Sequence, residues 1–248
     1  MTVPTRIMER RLAGRVIMDL DMLYLTPVQP TFLEVIETSS GLLELFPAVW
    51  SSAEGLTSPD VHVRSASLNR LLELGAQRIS PLISYLLATC ILEPDLPLRC
   101  RIVRALGELL IVDESGRQAP DAVRRHMVTY LAQMRTRPIF CLLQAAIAEP
   151  NLEAHITHLL NNCPHAGAHL AEIFSNRGVP LAVRQQAVHF VGQAGFLDAL
   201  PSLERLASRL EARRNGQQSM PFAPPPTTQD ESKLLHEINQ TLWMLRQA

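Results

Sequence analysis

Three stretches of the chain can be laid over one another, and each opens on an aliphatic–arginine pair: Val63-Arg64, Leu98-Arg99 and Val183-Arg184. Counted from the arginine, positions +4, +7, +8, +10 and +11 are small or apolar every time. The register gives Leu68, Leu71, Leu72, Leu74 and Gly75, then Val103, Leu106, Gly107, Leu109 and Leu110, then Val188, Val191, Gly192, Ala194 and Gly195. A helix start that recurs in this way marks a stack of helical repeats, in which each unit buries its apolar face against its neighbours. The expectation is an all-α chain, an α-α superhelix of antiparallel helix pairs. Essentially no sheet is expected, because no segment alternates apolar and polar residues over a strand's length.

Helix punctuation supports this. Ser58-Pro59 and Ser80-Pro81 each place a capping hydroxyl before a proline suited to the first helical position. Thr31 to Glu34 and Thr228 to Glu231 have capping-box spacing. Gly75, Gly178 and Gly195 fall where a left-handed helix stop is wanted. These signals predict helices near 5–24, 31–38, 41–50, 59–74, 80–92, 97–111, 120–135, 138–148, 152–162, 166–176, 181–194, 198–213 and 230–246. Leu98, Ile102, Ala105, Leu106 and Leu109 form one apolar stripe, and Leu234, Leu235, Ile238, Leu242 and Leu245 another. The organisation expected is an N-terminal helical cap over 1–57, repeats over 58–213 with a degenerate middle unit (138–148 and 152–162), and a C-terminal capping helix over 230–248. Between them, three consecutive prolines make 214–229 a flexible loop.

Apolar residues are 47% of the 248 and aromatics only 5%, so Leu, Ala, Val and Ile must supply the core. A net charge of -1 argues against a protein built mainly to neutralise phosphates. Of 23 basic residues 22 are arginines, Lys233 being the exception. That bias fits recognition of phosphate or carboxylate groups. It also fits a GC-rich coding bias, the simpler account for arginines spread along the chain. Cys90, Cys100, Cys141 and Cys163 have no CxxC pairing and sit in or beside apolar segments, as buried thiols in a reducing compartment do. No signal-peptide pattern and no apolar run of membrane-spanning length is present, so a soluble cytoplasmic protein is expected.

On Asp60-x-x-x-Arg64 with Leu-Glu-Leu-Gly75, Asp95-x-x-x-Arg99 with Arg-Ala-Leu-Gly107, and Val183-Arg184 with Val-Gly-Gln-Ala-Gly195, the chain resembles the HEAT-repeat family. The likeness is particularly to the short HEAT-like units also found in bilin-lyase-type proteins. It covers about 100 residues and implies fold far more than function. It implies that Asp60, Arg64, Asp95, Arg99 and Arg184 are scaffold residues, tying neighbouring turns through charge-assisted bonds. Pro180 stands where the third aspartate should be, so the ladder should break there. The resemblance also implies that second helices line a concave face.

Chemistry-bearing clusters are few. His155, His158, Cys163, His165 and His169 offer imidazole and thiolate donors of the kind zinc accepts. Their spacing matches no zinc-finger signature, so a polar helix end that carries histidines is the plainer account. Asp19 and Asp21 are two apart and point to different helix faces, poor geometry for an acid–base pair. No phosphate-cradling loop, GxSxG or HExxH occurs, which makes an enzyme the less favoured reading, and no cofactor is implied. Arg124 and Arg125, with Arg205 and Arg209, could form a concave basic stripe. The leading expectation is a non-enzymatic scaffold or adaptor that binds a protein partner through the concave helical surface. One alternative is nucleic-acid binding through that arginine stripe. Another, implied by the resemblance, is a lyase-like or maturation factor.

Overall fold

The computed structural model describes residues 46–112, 118–214 and 228–247. The helices expected at 5–24 and 31–38, the capping box at Thr31, Asp19 and Asp21 lie outside these, as does most of the proline-rich stretch. The described residues form twelve α-helices and no strand: α1 (Pro47–Gly55), α2 (Val61–Glu73), α3 (Ala76–Ile79), α4 (Pro81–Thr89), α5 (Leu96–Leu110), α6 (Asp121–Leu131), α7 (Thr136–Ala148), α8 (Glu153–Asn161), α9 (Ala166–Ser175), α10 (Leu181–Ala194), α11 (Leu200–Arg214) and α12 (Thr228–Gln247). The protein is all-α.

Local chemistry sets the helix starts, with corrections to the sequence reading. Ser80 accepts from the Ile83 amide at 3.1 Å with Pro81 at the first helical position, as the Ser-Pro pair requires. The other pair works differently. Asp60, not Ser58, caps α2 by accepting from the His62 amide at 2.8 Å, while Ser58 accepts from the Asp60 amide. A carboxylate at the cap outcompetes the hydroxyl two residues earlier because it also complements the helix dipole. Of the helix expected over 41–50, residues 41–45 lie outside the described residues; past them a helix runs Pro47–Gly55, with Pro47 suited to the first turn. Positive φ occurs, among the described residues, only at Gly75 (64°) and Gly195 (72°). Gly178 is no left-handed stop: its amide donates to Asn176 Oδ1 at 2.9 Å, so the asparagine side chain turns the chain instead. The short α3, following Gly75, has no forerunner in the sequence pattern.

Packing follows the stripes. All five stripe residues of α5 and all five of α12 are buried. At +4 and +7 from each repeated arginine, Leu68, Val103 and Val188, then Leu71, Leu106 and Val191, are fully buried. Each such aliphatic side chain withdrawn from water contributes on the order of 1.5–3 kcal/mol. The core is aliphatic as the composition requires, with Phe174 and Phe190 its largest members.

Helices α2, α5, α8, α10 and α12 contact one another in that order, forming a row, so that α8, expected as the second helix of the middle pair, takes the place next to α5. On the other side α4 packs against α6, α7 against α9, and α9 against α11. A common spacing ties the members together. Ser65–Arg101, Thr136–Glu172, Glu153–His189 and Thr157–Gln193 are hydrogen-bonded pairs 36 residues apart. The repeat is thus written in cross-helix polar bonds as well as in the apolar register.

The +8 position decides how closely the row is drawn together. Gly107 on α5 and Gly192 on α10 lie under the next helix. A Cβ at Gly107 would stand 2.4 Å from His155 Cβ on α8, and one at Gly192 would stand 2.9 Å from Met244 Cε on α12. At Gly107 the obstacle includes the His155 backbone, so nothing larger leaves room for α8, whereas at Gly192 it is only the side chains of Met244 and Thr241.

Candidate partner-binding cleft

The repeated arginines act as internal ties. Arg64 grips Glu93 in a two-pronged pair, Nε to Oε2 at 2.9 Å and Nη2 to Oε1 at 2.7 Å. Its Nη1 also donates to the carbonyls of Ser58 and Pro59. The Glu93 carboxylate raises the Arg64 guanidinium pKa above its ordinary value, chiefly through this hydrogen bonding. Arg99, itself buried, donates from Nε to the Glu93 carbonyl at 2.7 Å and from Nη1 to Gln144 on α7 at 2.8 Å. Arg184 donates to the Phe174 carbonyl at 2.9 Å. The acidic partner in this linkage is therefore Glu93. Asp60 and Asp95 cap their own helices, Asp95 accepting from the Leu98 amide at 2.9 Å. The register could not flag Glu93: two residues before each helix cap the repeat carries Ser58, Glu93 and Gly178, with no common chemistry.

The His/Cys cluster does not converge. Among the described residues no three His, Cys, Asp or Glu side chains form a group able to hold a metal ion. His155 lies against Gly107 of α5, where burial is the main cause of a pKa below the ordinary histidine value. His169 points to α7, its Nδ1 3.0 Å from Thr136 Oγ1. Cys163 is buried, with its thiol aimed at the Met134 carbonyl and its pKa pushed up by burial. A thiol held protonated is a poor metal ligand. His158 and His165 are exposed. Helices α8 and α9 turn their polar groups towards different neighbours, so closeness in sequence is not closeness in space.

The four candidate arginines also divide. Arg124 is paired to Asp121 on its own helix α6, where it lowers the Asp121 carboxyl pKa below the ordinary value, and Arg125 is exposed. Helix α6 packs against α4, whereas α11, which carries Arg205 and Arg209, packs against α9 and α12. No single stripe contains all four.

Arg205 and Arg209 border a cleft of about 840 Å³ between α11 and the end of α9, lined also by Ser175, Ser202, Glu204 and Ser208. Helical spacing explains the wall. Leu203, Leu206, Ala207 and Leu210 turn inward to the core, which leaves positions 201, 205, 208 and 209 facing out. Arg205 is held along the helix, Nε donating to the Pro201 carbonyl and Nη2 to Ser202 Oγ, both at 3.1 Å. Glu204, the one acid on this wall, is neutralised by Arg246 of α12 at 3.1 Å. Arg209 has no ion-pair partner among the described residues. The 3-10 turn Leu197–Ala199 packs against both α9 and α11 and leaves Leu197 61% exposed. The cleft thus presents two guanidiniums, that of Arg205 held along its helix, and three hydroxyls.

None of the helices among the described residues is long and apolar enough to cross a membrane. No family model, no curated protein and no solved structure matches this chain.

Proposed function

We propose that the chain is a non-enzymatic, HEAT-like helical-repeat scaffold that binds an acidic protein surface in the cleft between α9 and α11. The carrying observation is the pairing of Arg205 and Arg209 on one outward wall whose only acid, Glu204, is already occupied by Arg246. Guanidiniums with spare donors match carboxylates in two-pronged geometry, and hydroxyls beside them complete such a contact. Nucleic-acid binding is the less supported reading. Arg124 and Arg125 lie on a helix packed elsewhere, and the cleft lining holds no aromatic ring for a base to stack on.

A capture experiment from native extract tests this, comparing the wild-type chain with the Arg205→Glu/Arg209→Glu variant, with and without nuclease. Proteins held by the wild type, kept after nuclease and lost with the charge reversal, are the expected result. Equal capture by both forms would remove the cleft from consideration. Capture that vanishes with nuclease would replace the protein reading with the nucleic-acid one.

A further inference from the structure

The donors left free in the α9–α11 cleft narrow the kind of acidic group that fits it. Arg205 commits Nε to the Pro201 carbonyl and Nη2 to Ser202 Oγ, which fixes the guanidinium along α11 and leaves Nη1 uncommitted. Ser202 accepts in that bond, so its own O–H remains to donate. Ser175, at the end of α9, and Arg209 have no bonded partner among the described residues. Ser208 is the exception, its hydroxyl donating to the Glu204 carbonyl at 3.0 Å. Arg205 and Arg209 stand four apart on one helix, where Cβ atoms are about 6 Å apart, so both side chains reach a single group.

Charge sets the same requirement. With Glu204 paired to Arg246, the cleft keeps the positive charge of both arginines. The negative pole at the end of α9 is blunted, because the Phe174 carbonyl accepts from Arg184 at 2.9 Å. One carboxylate would leave a guanidinium unanswered, and two carboxylates brought within this reach would repel each other. A phosphate monoester carries about −1.5 to −2 charge at pH 7 and offers three terminal oxygens, enough for both guanidiniums and the two free hydroxyls. We infer that the acidic group recognised in this cleft is a phosphorylated side chain of the protein partner, held by Arg205 and Arg209 with Ser202 and Ser175. This specificity rests on the cleft being a site for an acidic protein surface, and it names the acid.

The test is binding of the full-length chain to three peptide sets, random except for a central phosphoserine, glutamate or serine, read by fluorescence polarisation. The phosphoserine set should bind about tenfold tighter than the glutamate set, the effect of one further charge-assisted hydrogen bond. Arg209→Ala should remove most of that advantage and Ser175→Ala/Ser202→Ala part of it. Arg125→Glu, on a helix packed elsewhere, should remove none. The advantage should also shrink between about pH 7.5 and about pH 5.5, as the monoester passes its second pKa of about 6. Equal affinity for the phosphoserine and glutamate sets overturns the inference and leaves the acidic-surface reading standing. Phosphoserine binding that survives Arg205→Glu/Arg209→Glu overturns it by placing the site elsewhere. Inorganic phosphate bound as tightly as the phosphoserine set overturns it in favour of a free anion. Binding of no set overturns it too, and the extract capture then judges the acidic-surface reading by itself.

Discussion

The joints between α2 and α5 and between α5 and α8 belong to the same row but are built on different physics. At the first, position +8 is Leu72, and polar reach does the joining: Arg101 donates to Ser65 at 3.1 Å and bonds Asn69, and Arg64 clasps Glu93. At the second, position +8 is Gly107, and the backbones come together until His155 fills the space a side chain would need. A polar tie spans a gap and tolerates adjustment at either end. A glycine crossing has no slack, because dense interiors resist added volume. The same repeat register therefore carries one adaptable joint and one rigid one.

The largest way to break this contrast is Gly107→Val. Overpacking against the α8 backbone should destabilise the protein by about 3 kcal/mol, read as a lower urea midpoint, despite the better helix propensity of valine. Gly192→Ala, where the obstacles are the flexible end of Met244 and, at 3.1 Å, the Thr241 side chain, should cost no more than about 1 kcal/mol. Equal losses at both sites would mean that the close approach at Gly107 is not what the joint depends on.

Glu93→Gln should have a smaller effect than Gly107→Val. It leaves Arg64 with a neutral partner in the same place, so Tm should fall, and adding Arg64→Ala should cost less than it does alone. Fully additive losses in that double-mutant cycle would show that the pair does not act as a unit.

The smallest effect concerns pH. His155, half-buried against α5, has a folded pKa below the ordinary 6.5, chiefly through that desolvation, with Arg104 and His158 adding to the depression and Glu108 opposing it. Below 6.5 the unfolded chain takes up a proton that the folded one resists. The histidine's contribution is therefore favourable above that pH and is lost as pH falls through it. Urea midpoints at about pH 7.5 and about pH 5.5 should differ less in His155→Asn than in wild type. An unchanged difference would place the pH sensitivity in other groups.

Much of the fold was legible because helix formation and burial are local and periodic. The stripes on α5 and α12 follow from spacing alone, as do Ser80-Pro81 and the stops at Gly75 and Gly195. What escaped depends on neighbours. Gly107 reads in sequence as one more small residue, and only the packed α8 reveals that it marks a close crossing. Glu93 escaped because the position before the cap carries no repeated chemistry. The histidines of 155–169 looked like one cluster, yet α8 turns His155 to α5 while α9 turns His169 to α7. The four arginines looked like one stripe, yet two are committed to a helix on the far side of the packing order. Only Arg205 and Arg209 stayed together, since they sit four apart on a single helix.

Helix α12 buries Leu234, Leu235, Ile238, Leu242 and Leu245 against α10 and α11, although thirteen residues of undescribed chain separate it from α11. Its place is specified by the surface it fits, through Gly192 and Thr241, more than by the covalent route to it. In that sense α12 is a ligand carried on a tether. The helix behaves as a bound peptide whose occupancy the rest of the chain guarantees by never letting it diffuse away.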